Sequence, residues 1–252
     1  MSTIAMPARR LWGAYLKEAR YESLRMLRTP AFTLPLLLLP VGIYLFVVMA
    51  AGGALRNPRI AAYFFTGFSA FGVMGPGMFG LGMVVAIERQ EGVLTLKRAL
   101  PMPPAAYLMG KMLMAVVFAT IIMGSMSIAA PLLGHVKLSA GQLLGVAVVN
   151  ILGALPFCAI GLSVGVRATG QSAGAIVNLL YVPMFLVADL WFPLPPASKW
   201  LSLISPAYYL RELTLSAAGL ADQVPPAVGA AVLAGLTVLL TALAVRRLAR
   251  VG

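Results

Sequence analysis

The residues in this chain that could do chemistry are few, and they cluster in one place. Glu88-Arg-Gln-Glu91-Gly92 opens a charged segment that runs to Pro104 between two long apolar runs. Glu88 and Glu91 are its close acid pair, and no paired carboxylates fall in the middle of an apolar run. Intramembrane acids are the usual mark of proton relays, so their absence argues against an ion-driven secondary transporter. Gly110-Lys111 is followed by Met112 and lacks a glycine at the offset of a phosphate-binding loop. Ser69, Ser125, Ser127, Ser163 and Ser172 have no base nearby in sequence, so no serine nucleophile is assembled. One histidine, His135, and one cysteine, Cys158, leave no histidine- or thiolate-based metal site and no intramolecular disulfide. Catalytic residues and metal ligands are therefore both expected to be none. The chain should take its energy from a partner, or perform no work.

The elements that must carry these residues are membrane spans. The composition is 61% hydrophobic and 10% charged, against roughly 25% charged in soluble domains. Six charge-free runs follow one another: Thr29–Leu55, Ile60–Ile87, Met112–Val136, Leu138–Val166, Ala168–Ala188 and Gln223–Val245. Each reaches the roughly 20 residues that cross a hydrocarbon core as a helix. None shows the period-two alternation of a β-barrel strand. The expected fold is an all-α membrane protein with six transmembrane helices and both termini on one side.

Lysine and arginine set the orientation. Fourteen lie on the side of the termini and five on the other, the five being Arg56, Arg59, Lys137, Lys199 and Arg211. The richer side faces the cytoplasm. The net charge of +12 then reflects basic residues facing anionic headgroups. No basic domain is left over for nucleic acid, and none is expected as a partner.

Ahead of the first span, residues 1–29 read as an amphipathic helix along the inner membrane surface. Leu11, Trp12, Tyr15, Leu16, Ala19, Met26 and Leu27 share one half of the helical wheel, and Arg10, Lys17, Arg25 and Arg28 the other. A helix packed on a cytosolic partner fits the same pattern. The Glu88–Pro104 segment reads as a short amphipathic helix, with Val93, Leu96 and Leu100 at helical spacing and Pro101, Pro103 and Pro104 as its stop. An ordinary charged loop is the plainer alternative.

The second span carries a glycine-dense tract around Gly75-Pro76-Gly77, a hinge or a tight packing surface, with Pro76 expected to kink or break the helix. Gly161 and Gly165 give a small-xxx-small spacing in the fourth. After the fifth span, residues 193–212 are too apolar for a free loop and too rich in proline for a span. Short helices dipping into the outer leaflet are expected there, anchored by Trp191, Trp200, Tyr208 and Tyr209. Asp189 and Arg211 could pair across this segment, or Asp189 could sit in water among the headgroups.

This order of features resembles a type-2 ABC transporter permease, the membrane subunit of many bacterial export systems. Glu88-Arg-Gln-Glu91-Gly92, continued by Leu96 and Pro101, is similar to that family's E-R-E-x-G-T-hydrophobic stretch leading to a proline; Gln90 and Val93 depart from it. The resemblance implies that residues 1–29 form a cytoplasmic connecting helix and that 30–252 form a six-span domain. Within that domain it implies a cytoplasmic coupling helix over about 88–104 and outer re-entrant helices over about 193–212. It implies a homodimer, or a heterodimer with a related permease, in the bacterial cytoplasmic membrane. A separate ABC ATPase subunit would dock on Glu88, Arg89, Glu91, Gly92 and Leu96, and would hold the ATP and Mg that this chain does not bind. The implied function is export by alternating access. Polar side chains such as Ser69, Thr120, Ser125, Asn150 and Asn178 are the main ones near a pathway, which favours an amphipathic or hydrophobic substrate. A non-transporting membrane scaffold that recruits a cytosolic ATPase is the reading from a different class.

Overall fold

The computed structural model describes residues 8–94, 96, 104–191, 194–220 and 223–251. Among them every regular element is a helix: α1 (Ala8–Leu27), α2 (Pro30–Ala51), α3 (Pro58–Gln90), α4 (Pro104–Leu133), α5 (Ala140–Gly165), α6 (Gly170–Val187), α7 (Pro206–Ala217) and α8 (Pro226–Val251), with 3-10 turns at Gly52–Arg56 and Pro196–Ile204. Six of them, α2 to α6 and α8, are long and apolar enough to cross a membrane. They coincide with the six charge-free runs. Lys97, Arg98, Leu100, Pro101 and Pro103 of the charged segment lie outside the described residues, as does Pro193 of the outer one.

Local sequence sets the helix ends. Asn57 caps α3 by accepting from the Arg59 amide, and Pro58 takes the first turn, where no amide hydrogen is needed. Ser139 with Gln142, and Thr169 with Ser172, close reciprocal capping boxes at the starts of α5 and α6. At the far end of α3, Gly92 adopts φ +75°, the left-handed conformation that turns a chain out of a helix. A Cβ there would meet nothing within 4 Å. The glycine is needed for its backbone angle and not for close approach.

The bundle is built around α3, whose side chains are buried along most of its 33 residues. Its most extensive neighbour is α5. Glycines let the two backbones touch: a Cβ on Gly77 would lie 2.8 Å from the Cys158 amide nitrogen, and one on Gly161 would lie 2.6 Å from the Gly77 carbonyl oxygen. In a membrane, where lipid tails are as apolar as leucine, such close packing drives helix association. Of the Gly75-Pro76-Gly77 tract, Gly77 packs against the α5 backbone, and Gly75 faces the Leu36 side chain. The helix runs through Pro76 without interruption; neighbours on several sides hold it continuous where sequence alone suggested a break.

Around α3 lie α4, α6, α7 and α2, with α8 against α5 and α7, and α1 against α4. On α1, Leu16 at 64% and Leu27 at 38% are exposed, as apolar residues of a helix lying on a membrane surface would be, while Met26, Glu22 and Ser23 are buried against the bundle. At the opposite end Trp191 stacks on Phe68 at 5.0 Å and lies edge-on to Phe71 at 4.8 Å, so it locks the bundle internally. Tyr208 is buried as well, while Trp200 remains exposed.

Candidate functional site

The charged segment meets the bundle through a buried set of ions. Glu88, on the last turn of α3, has no exposed surface. Its carboxylate accepts from Arg25 Nη1 of α1, from Tyr107 Oη at 2.7 Å and from Lys111 Nζ at 3.0 Å, the last two on α4. Lys111, itself buried, also donates to Glu22 of α1. Two carboxylates and two cations therefore neutralise one another, and three separate helices contribute them. Burial alone would disfavour the Arg25 cation, but the Glu88 hydrogen bond and the fields of Glu88, Glu22 and Glu91 raise its pKa above the ordinary value. Removing Lys111 would leave two buried carboxylates facing one half-exposed arginine, and a buried charge left uncompensated is costly.

The neighbouring residues extend the brace. Arg89 donates through Nη1 to the Val166 carbonyl and through Nη2 to the Ala168 carbonyl, both at 2.6 Å. Gln90 Oε1 accepts from the Gly170 amide at 2.9 Å. The end of α3 is thus tied to the turn between α5 and α6. Glu91 and Leu96 are exposed, Leu96 at 70%; Val93, Leu94 and Leu96 are helical, with the Leu96 amide bonded to the Gly92 carbonyl. Of the residues expected at a partner surface, Glu88 is buried, Arg89 and Gly92 are half-buried, and Glu91 and Leu96 are exposed. The spacing of the segment could not reveal this, because the partners of Glu88 lie 63, 19 and 23 positions away. Lys111 and Glu22 were missed altogether; the visible signal was a lysine at the very edge of an apolar run.

A second charged set sits at the other end. Arg211 of α7 lies 2.8 Å from Glu212 and 3.8 Å from Asp189, with its guanidinium 4.7 Å from the centre of the Tyr63 ring. Tyr63 donates to the Asp189 carbonyl at 3.2 Å, Asp189 accepts from the Leu194 amide, and Glu212 from the Gln223 amide. Asp189 is buried and has φ +61°, an angle Asp and Asn tolerate better than most residues. The side chain is held by the Leu194 amide and faces Arg211.

Between α2, α3 and α6 opens an apolar groove of about 360 Å³, walled by Phe32, Leu36, Phe71, Phe79 and Tyr181. Asn178 is its one amide side chain. Ser69 and Asn150, expected near a pathway, are buried within the bundle, Asn150 reaching Thr214 at 3.2 Å.

Comparison with known proteins places these features. A family model described as "ABC-2 type transporter" matches residues 18–218. A Bacillus subtilis (strain 168) protein named "Putative transport permease YvfS" is 26% identical over 178 residues, spanning 70% of this chain and 73% of that protein.

Proposed function

The chain belongs to the ABC-2 type transporter family, and from that premise we propose that it is the permease subunit of an ATP-driven exporter in a bacterial cytoplasmic membrane. Both termini face the cytoplasm. Two copies, or this chain with a related permease, form the pathway, and separate ATPase subunits hold ATP and Mg beneath them. The observation that carries this reading is the buried Glu22–Lys111–Glu88 set, closed by the half-exposed Arg25, behind the exposed Glu91 and Leu96. A push delivered at Glu91–Leu96 meets no loose joint. Glu88 passes it to α1 and α4, and Arg89 and Gln90 pass it to the α5–α6 turn.

The ATPase then moves the bundle as one body between inward- and outward-facing states, each favoured by a different nucleotide state of the partner. Glu91 pairs with basic residues of that partner, and Leu96 enters an apolar recess on it. The aromatic groove between α2, α3 and α6 suits an amphipathic or hydrophobic substrate better than a small ion. The test is ATP hydrolysis by the complex in lipid, with the chain co-expressed with its neighbouring ATPase, wild type against Glu91→Arg. Co-purification with loss of stimulated hydrolysis in the variant is expected. If no ATPase co-purifies, the permease reading is overturned; an ATPase that co-purifies without any substrate being moved favours the scaffold.

A further inference from the structure

We propose that the groove between α5, α6 and α8, at the end of the bundle nearest α1, is a binding site for one anionic phospholipid of the adjoining leaflet. The groove holds about 500 Å³ and is lined by Ile160, Ser163, Arg167, Ile176, Leu180 and Leu240 among others, with no acidic residue in its lining.

The chemistry of these residues is ordered by depth. Arg167 follows the last turn of α5 and is exposed. Its Nη1 donates to the Ser163 carbonyl at 2.7 Å. Among the described residues its remaining N–H groups meet no carboxylate, and a guanidinium has five such donors. One turn deeper, Ser163 Oγ is buried and has no hydrogen-bond partner among the described residues. A buried hydroxyl left so costs free energy, and a ligand oxygen would satisfy it. Deeper still the walls are Ile160, Ile176, Leu180 and Leu240. α8 contributes a second cation on the same side, because Arg247 is seven residues, two helical turns, beyond Leu240 and so falls on the same face. Arg247 is exposed.

A phospholipid presents the same order: an anionic phosphate at headgroup level, ester oxygens about one helical turn below, then acyl chains. The phosphate pairs with Arg167 and Arg247, an ester carbonyl accepts from Ser163 Oγ, and one acyl chain lies along the aliphatic walls. A bare anion would use the arginines and leave the slot unfilled. A zwitterionic headgroup would carry its own cation to the two arginines and gain less.

The test is native mass spectrometry of the purified full chain in mild detergent, titrated with phosphatidylglycerol or phosphatidylcholine. Wild type should hold one phosphatidylglycerol in preference to phosphatidylcholine. Arg167→Gln and Arg247→Gln should each weaken phosphatidylglycerol about fivefold, the factor that goes with about 1 kcal/mol per basic residue at an anionic leaflet. Phosphatidylcholine binding should be unchanged by either, and Lys137→Gln, at the other end of the bundle, should change neither lipid. Equal affinity for the two lipids, or arginine variants indistinguishable from wild type, overturns the proposal. Competition by millimolar inorganic phosphate overturns it in favour of a free-anion site. A covering second copy is read from Leu180→Cys in a Cys158→Ser background: a disulfide-linked dimer on oxidation means that protein, and not lipid, fills the groove.

Discussion

Lys111→Met removes the central cation of the buried ion set while nearly keeping side-chain volume. Lys111, Glu22 and Glu88 are all at most 4% exposed, so none can turn to solvent when a partner is lost. The variant leaves two buried carboxylates to share Arg25, whose side chain is 54% exposed. Breaking a buried pair from one side costs about 3–5 kcal/mol, most of it the stranded charge. For a chain of this size that corresponds to a fall in melting temperature of roughly 6–20 °C. Adding Glu22→Gln restores neutrality, with Arg25 facing Glu88 alone. The double variant should therefore recover at least about 2 kcal/mol over the single one, a coupling of the size found between contacting charges. The assay is thermal unfolding of the purified chain in detergent at fixed pH, followed by intrinsic fluorescence, with the exposed Lys137→Met as control. A Lys111→Met melting point within about 2 °C of wild type, or a double variant no better than the single, refutes the network as described.

Other predictions follow from the same geometry. Glu91→Arg should abolish ATPase stimulation in the complex with unchanged amounts of folded chain, since Glu91 is exposed and not part of the buried set; unchanged transport would remove Glu91 from the interface. Gly92→Ala places a Cβ at φ +75° and should cost about 1–2 kcal/mol locally, read as faster proteolysis near the segment, whereas Gly235→Ala, with open space around it, should leave stability unchanged or slightly higher. Gly161→Val drives side-chain carbon into the backbone of Gly77 and Met78; it should cost at least about 1–3 kcal/mol by overpacking and lower the yield of folded chain. Asp189→Ala should destabilise more than Asp189→Asn, by about 1 kcal/mol, because Asn tolerates the left-handed angle and its amide oxygen can still accept from the Leu194 amide; equal melting points would count against that account.

The spans were legible because charge is excluded from hydrocarbon, and six gaps in the charge pattern need no knowledge of tertiary structure. The exposed end of the charged segment was legible for the same reason: Glu91 and Leu96 sit where the apolar run stops. The roles of Glu88 and Arg89 were not. Whether a charge at a helix end faces out or in depends on which helices pack around it, and α1 and α4 join Glu88 only in three dimensions. From sequence Lys111 reads only as one of the basic residues on the side of the termini, and Glu22 carries no signal, when each is the answer to the other. The same reason explains Trp191, an interfacial residue by type that the fold turns onto Phe68 and Phe71. Gly161 was legible as a residue of helix contact, Gly77 only as hinge or packing, and their pairing with each other was not legible.

The link between Glu22 and Lys111 also fixes an order of manufacture. The two residues are 89 positions apart, so at roughly 5–20 residues per second a ribosome needs about 4–18 s between making the first and the second. During that interval α1 has been synthesised but Glu22 lacks Lys111 and, until Glu88 emerges, Arg25 lacks the carboxylate it is hydrogen-bonded to. Its seat does not exist until the third span enters the membrane. A nascent chain arrested before Lys111 should therefore carry a protease-accessible α1, and one arrested after α4 has inserted should not.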